Sequence, residues 1–243
     1  AELFSLGSNW SIPVGWQPSY GDSDSDPGPE LAKLIGLFVA EGYLNHTSHS
    51  VRIAQKDHVS AVRDVLVKAG FPFSEYVAKD GVVQFSIGKR KVCDYLPGLL
   101  GSHKSSKKRL PRDCFRWSVA SRLALLAGLI LGDGRKNCYD EENHIQNSVT
   151  YFTNSSRLAN DVQELGATLG MATKIGKQFG LSPFTGRPAV IYEVRFNQYD
   201  AANVGKLNLS IVPYDGYVYC VEVPNGTLVV RRNNRPMVCG NCQ

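Results

Sequence analysis

No apolar run in this 243-residue chain reaches the ~18 residues that a membrane-spanning helix needs. No membrane partner is therefore expected. The first residues, AELFSLGSNW, lack a basic start followed by an apolar core, so no secretory signal is read and an intracellular location is expected. Histidines are few, five in all and scattered, so none is offered as a nucleophile. Of six cysteines only Cys239 and Cys242 form a CxxC, with no second pair at zinc spacing. That usage reads as reduced thiols rather than a structural zinc site or a disulfide frame. Residues 1–30 lack Lys and Arg altogether while carrying Glu2, Asp22, Asp24, Asp26 and Glu30.

What is present is basic and concentrated. The net charge is only +5, but residues 89–122 hold Lys89, Arg90, Lys91, Lys104, Lys107, Lys108, Arg109, Arg112, Arg116 and Arg122 against Asp94 and Asp113. So dense a run raises the local potential and attracts polyanions. Pro97, Pro111 and glycines interrupt it, so it reads as loop and strand ends able to follow a phosphate backbone. The plainer alternative is a solvated basic surface.

Periodicity divides the chain. An acidic, turn-rich linker, GDSDSDPGP, precedes an apolar helix from about Leu31 to Gly42. A strand near Ser50–Lys56 follows, then a helix ending at Gly70 with Asp57 as its expected cap, then strands near Ser74–Lys79 and Val82–Ile87. A short helix is expected over Val92–Leu100. The texture then recurs. A second apolar helix spans about Ser118–Gly134. A strand near Ser148–Thr153 comes next, then a helix capped by Asn154 or Ser155, then strands near Thr173–Phe179 and Val190–Phe196. Two αββαββ units, with leading helices about 92 residues apart, predict an α+β fold of two subdomains related by a pseudo-two-fold axis, their sheets side by side as a saddle.

The leading helices read LIGLFVAEG (Leu34–Gly42) and LAGLILGDG (Leu126–Gly134). Gly36/Ala40 and Gly128/Gly132 are four apart, on one helical face, where small residues let two backbones approach. Each helix ends in an acid followed by a glycine suited to a left-handed cap. The acids, Glu41 and Asp133, sit at the unfavourable end of the helix dipole and would repel one another if brought together. A site that disfavours its own charges twice over needs a cation. One such motif is easily a buried helix with a chance acid; two in matching halves are not.

These motifs resemble those of LAGLIDADG homing endonucleases in their single-chain, two-motif form. The resemblance covers roughly residues 31–205, with KRLP (Lys108–Pro111) and YFTNSSRLANDVQELGATLG also similar. Glu41 stands where Asp is commoner. The resemblance implies a monomer that cuts both strands of a long double-stranded DNA target and leaves short 3′ overhangs. Glu41 and Asp133, with the adjoining Gly42 and Gly132, would hold Mg2+, which binds hard oxygen ligands. Lys108 resembles the family's active-site lysine, Lys107 is the near alternative, and Lys206 occupies a similar place in the second unit. Base readout would come from one face of the strands, with candidates Arg52, Gln55, Gln84 and Ser86, then Lys174, Lys177, Tyr192 and Arg195. Lys89, Lys91, Lys104, Lys107 and Arg109 are candidate backbone contacts.

The tail YVYCVEVPNGTLVVRRNNRPMVCGNC predicts a β-hairpin turning at Asn225–Gly226. It also resembles the C-terminal end of an intein's splicing domain. On that resemblance Asn241 cyclises, Cys242 is the acceptor thiol of the first extein residue, and Cys220 stands where Asp is common and is itself a possible nucleophile. Gly240 replaces the usual penultimate His, and Ala1 stands where Cys or Ser is usual, so splicing is expected only with an N-terminal intein fragment. The expected domains are 1–30, an acidic segment with a possible splicing remnant; 31–205, the endonuclease, in subdomains 31–117 and 118–205; and 206–243, a small all-β Hint-type remnant with extein residues 242–243. The leading expectation is an intein-encoded endonuclease. The alternatives are the C-terminal part of a split intein with a weak or inactive nuclease, and a DNA-binding module that has lost cleavage.

Overall fold

The structure is a computed structural model and describes residues 9–13, 25–45, 50–88, 105–137, 148–181, 186, 188–197, 201–205, 212–217, 223 and 226–240. The expected helix at Val92–Leu100 lies outside them, as does most of the first strand expected for the tail hairpin.

Helix α1 (Pro29–Glu41) opens with proline, whose fixed φ and missing N–H suit a first turn. It runs without a loop into β2 (Gly42–Asn45). Then come β3 (Ser50–Gln55), α2 (Val59–Lys68), β4 (Ser74–Val77) and β5 (Val83–Ile87). After two short 3-10 turns, α3 (Val119–Asp133) leads into β6 (Gly134–Asn137), β7 (Ser148–Thr153), α4 (Ser156–Thr168), β8 (Ala172–Leu181) and β9 (Pro188–Asn197). Each unit forms one four-stranded antiparallel sheet, ordered β2-β3-β5-β4 and β6-β7-β9-β8. The two orders are the same when matched element by element.

The core lies between the sheets and the α1–α3 pair. Leu34, Ile35, Leu37 and Phe38 of α1 and Leu125 and Leu129 of α3 are buried with Val51, Ile53, Phe85, Tyr151, Val194 and Phe196 of the sheets. Each such aliphatic or aromatic side chain stabilises the fold by about 1.5–3 kcal/mol through burial. The helices touch at backbone distance. A Cβ on Gly36 would stand 2.1 Å from the Leu125 carbonyl oxygen and 2.9 Å from the Leu129 nitrogen; one on Gly128 would stand 2.0 Å from the Lys33 oxygen and 2.8 Å from the Leu37 nitrogen. All three residues of one contact become those of the other when 92 is added to, or taken from, their numbers.

Several local expectations need correction. Gly42 and Gly134 are not left-handed caps: their φ,ψ values, −78,149 and −103,155, are extended, because each helix passes straight into a strand. Glycine is required there by crowding, since a Cβ would stand 1.9 Å from Phe38 Cδ2 at Gly42 and 2.4 Å from the Ile130 oxygen at Gly134. Asp57 does not cap α2; the cap position is His58, with no side-chain bond. Ser155 caps α4, accepting from Leu158 N at 3.2 Å, while Asn154 donates to Ser105 Oγ at 3.0 Å.

The tail hairpin expected at Asn225–Gly226 has most of its first strand outside the described residues, while Gly226, at φ 68°, donates its N–H to Val223 O at 3.0 Å. TLVVRR is a strand, β11 (Thr227–Arg232), and it pairs forward with β12 (Arg235–Gly240). The turn is Asn233–Asn234, at φ 51° and 60°. Two consecutive left-handed residues make the type I′ turn that joins strands across two residues, and asparagine tolerates that conformation. A further strand, β1 (Asn9–Pro13), pairs antiparallel with β10 (Ala201–Gly205). The segment before α1 therefore joins the segment after β9. A boundary at residue 205 assigns β10 to the second unit, yet β10 does not pair into that sheet.

Candidate active site

The close approach of α1 and α3 fixes where their last residues go. A Cβ on Gly132 would lie 2.4 Å from Ala40 Cβ and 3.0 Å from Glu41 Cγ, so the two helix ends are in contact. The carboxylates of Glu41 and Asp133 thus occupy one site, as the paired motifs predict.

Lys108 lies close to both. It comes from the segment joining the units, and it is buried. Its Nζ donates to the carbonyl oxygens of Ala40, at 2.8 Å, and Gly42, at 3.1 Å. A cation there satisfies carbonyls left over at the end of α1 and offsets the negative end of its dipole. The Lys108 backbone oxygen accepts from Ser155 Oγ at 2.8 Å, so this one residue ties the end of α1 to the start of α4.

The electrostatics are strained. Burial first, and then the charge of Asp133, push the Glu41 carboxyl up to about 7, against the opposing pull of Lys108. Burial likewise raises Asp133, again opposed by Lys108. Burial draws the Lys108 ammonium below its usual range although both acids favour its charge. Two carboxylates in one dry site with a single ammonium lower their free energy by taking a proton or a cation. Among the described residues no group of three or more His, Cys, Asp or Glu side chains forms a metal cage. The site offers hard oxygen donors and leaves other positions to outside ligands, which fits Mg2+.

The sheets sort the remaining candidates by face. In the first sheet Val51, Ile53, Val83, Phe85 and Ile87 face the core. The opposite face carries the cross-strand row Tyr43–Arg52–Ser86–Ser74 and, beside it, Ala54–Gln84–Tyr76. Arg52, Gln84 and Ser86 therefore share the outer face. Gln55 does not: it is buried, and its Oε1 accepts from the backbone N–H of Lys56, at 2.8 Å, and Asp57, at 3.2 Å, so its role is to turn the chain. In the second sheet the outer row is Arg135–Thr150–Arg195–Lys174. Lys177 and Tyr192 occupy the other face, with Lys177 Nζ 5.8 Å from the Tyr192 ring centre. They are corrected from base readers to a stacked pair on the helix side.

The basic run is corrected more broadly. Arg109 forms a two-pronged contact with Asp161, at 3.1 and 3.3 Å, and Leu110 N donates to the same carboxylate at 3.0 Å. Arg112 pairs with Glu164 at 3.0 Å, and buried Arg122 donates to the oxygens of Trp117 and Thr168. These arginines clamp the joining segment to α4 instead of lining a phosphate track. Lys107 is exposed. Lys89, Lys91, Lys104, Lys206, Cys220, Asn241 and Cys242 lie outside the described residues. Sequence reading missed Tyr43 and Arg135. Their shared signal is position, two residues after each acid at the start of a strand.

Residues 120–204 match the model of the LAGLIDADG-like domain. The matched stretch runs from α3 to β10. In sequence it is 30% identical over 110 residues to a DNA-directed RNA polymerase subunit beta C-terminal section of Stigeoclonium helveticum, covering 40% of this chain and 10% of that protein. It is 28% identical over 203 residues to the ATP-dependent DNA helicase Hel308 of Thermococcus kodakarensis, covering 80% of this chain and 17% of that protein. Among solved structures, mesophilic variants of the homing endonuclease I-DmoI align at 14% identity and TM-score 0.45, over 69% of this chain and 84% of that one. The N-terminal LAGLIDADG domain of DUF199/WhiA aligns at 11% and 0.44, over 70% and 75%.

Proposed function

We propose that this chain is an intein-encoded, site-specific endonuclease that makes metal-dependent double-strand breaks in a long DNA target. The observation that carries the reading is the meeting of Glu41 and Asp133 at the joined ends of α1 and α3, with Lys108 bonded to the carbonyls at the end of α1 beside them. The matching strand orders support two duplicated units around a pseudo-two-fold axis, each offering an outer sheet face to one half of the target. A twisted β-surface of that kind fits the major groove.

Glu41 and Asp133 would hold Mg2+, which supplies Lewis-acid stabilisation of a leaving oxygen and a more acidic water. The protein's own part is to keep both carboxylates in one water-poor site, where they favour a cation over separate hydration. Lys108, held by two carbonyls, places a fixed positive charge beside the point where a phosphate gains negative charge. Glu41→Gln and Asp133→Asn should each reduce cleavage of a cognate duplex at least ~1000-fold, about 4 kcal/mol of barrier, while leaving DNA binding in Ca2+ intact. Unchanged cutting by either variant would remove the site.

Two observations favour the intein setting. β1 and β10 pair across both intervening units, and β12 lies against both β1 and β8, so the flanking segments meet beside the second sheet. The matched region is also a minor part of two proteins whose named activities are unrelated, as a portable insertion would be. On this reading Asn241, Cys242 and Cys220 serve splicing with an N-terminal fragment. Mixing such a fragment with this chain, or with Gly240→His, should release the residues after Asn241. No release from either would leave the endonuclease alone.

A further inference from the structure

Tyr151 lies on the core face of β7, and its backbone is the register partner of Gly134, the residue that follows Asp133. Its side chain is wholly buried, yet its hydroxyl has no hydrogen-bond partner among the described residues. A buried O–H without an acceptor costs free energy, so native proteins keep few such groups, some of them at working sites. Here the nearby charges are those of the active site: burial, then Asp133 and Glu41, hold the phenol well above its ordinary range, so it stays a neutral donor. The matching position of the first unit, opposite Gly42, is Ile53, which has nothing to donate.

We infer that Tyr151 is a positioning residue for Asp133, its phenol O–H donating a hydrogen bond to that carboxylate when a divalent cation occupies the site. The proton remains on the phenol; the bond fixes which carboxylate oxygen faces the cation. A phenol is suited to this because it donates one bond without adding charge to a site already short of cations. Since Ile53 gives Glu41 no such bond, the two halves of the site differ, and the two DNA strands are cut by differently supported acids. This inference rests on the cleavage proposed above.

The test is Tyr151→Phe, which keeps the ring and removes only the unpaired hydroxyl. Thermal unfolding should be unchanged or slightly higher. Mn2+ affinity, measured by electron paramagnetic resonance on the protein alone, should fall about 10-fold, in the range known for groups that orient metal ligands. With a cognate duplex labelled on both strands, nicking of one strand should slow about 10-fold or more while the other is spared. Wild-type Mn2+ affinity and wild-type rates on both strands would overturn the inference. So would equal slowing of both strands with a lower unfolding temperature, which marks a packing role. Glu41→Gln in the same assay separates the two proposals. If it still cuts, the endonuclease reading fails; if it is inactive and Tyr151→Phe is normal, only the role of Tyr151 fails.

Discussion

The two units share a skeleton and differ on their working surfaces. At the α1–α3 contact the halves are nearly interchangeable: Gly36 and Gly128 meet equivalent backbone atoms within 0.1 Å of the same distances. On the outer sheet faces they part. The first sheet's leading row, Tyr43–Arg52–Ser86–Ser74, holds one cation, whereas the second, Arg135–Thr150–Arg195–Lys174, holds three. Arg195 is moreover held by Glu193, 2.5 Å away on the same face, and Gln178 donates to that carboxylate too. Arg52 keeps a buried Nε with no hydrogen-bond partner among the described residues. Packing requires symmetry where two backbones touch, since one shape must fit the other. On the proposed function, a non-repeating DNA sequence would require the opposite of the outer faces.

The largest effect expected outside catalysis concerns the shared contact. Gly36→Val and Gly128→Val should each destabilise by about 3 kcal/mol or more, because the obstacle is a backbone carbonyl that cannot swing aside. Chemical denaturation of both variants checks this; a loss confined to one would break the equivalence of the halves.

Next comes pH. Glu41 titrates near 7 in the folded chain against 4.5 for the free side chain. The folded state therefore binds the extra proton, and metal-free stability should fall as pH rises from 4.5 to 7 and stay low above. The change should be on the order of 2 kcal/mol. Mg2+ should offset it, and Glu41→Gln should flatten the curve. Unfolding midpoints across that range, with and without Mg2+, provide the measurement.

A smaller effect should divide the two outer faces. Arg52→Ala should weaken binding about 10-fold on the cognate site, about 1.4 kcal/mol, with little change on unrelated DNA. Exposed Arg135 should instead act on phosphate. Arg135→Ala should weaken all sequences alike and reduce the salt slope by about 1. Binding titrations at several salt concentrations tell these apart, and identical behaviour would remove the proposed asymmetry of readout.

The smallest effect lies at the helix starts. Ser118 caps α3 through Ser121 N, while Asp26, 92 residues earlier, serves the start of α3 and also accepts from the N–H of Gly28, the cap residue of α1. It accepts from Ser118 N at 2.7 Å and Ser121 Oγ at 2.6 Å. Burial alone would raise its carboxyl, but the bonds from Ser121, Ser118 and Gly28 outweigh that and hold it at about 2. Asp26→Asn should cost about 1 kcal/mol at neutral pH. In the wild type that contribution should be lost as pH falls from 3.8 toward 2.

Local pattern settled much of this molecule. Small residues four apart, an acid at each helix end and the αββαββ rhythm follow from helical and strand periods, which any stretch of sequence displays without its neighbours. So the meeting of the helix ends that carry Glu41 and Asp133 and the close α1–α3 packing were readable in advance. Other properties depend on what lies across from a residue. Gln55 faces inward, Arg109 is spent on Asp161, Arg135 joins a cationic row and Tyr151 stands unpaired beside the acids, because register and packing choose their neighbours. The pairing of β1 with β10 is the extreme case: its partners lie 188 or more residues apart, and no local signal reaches that far.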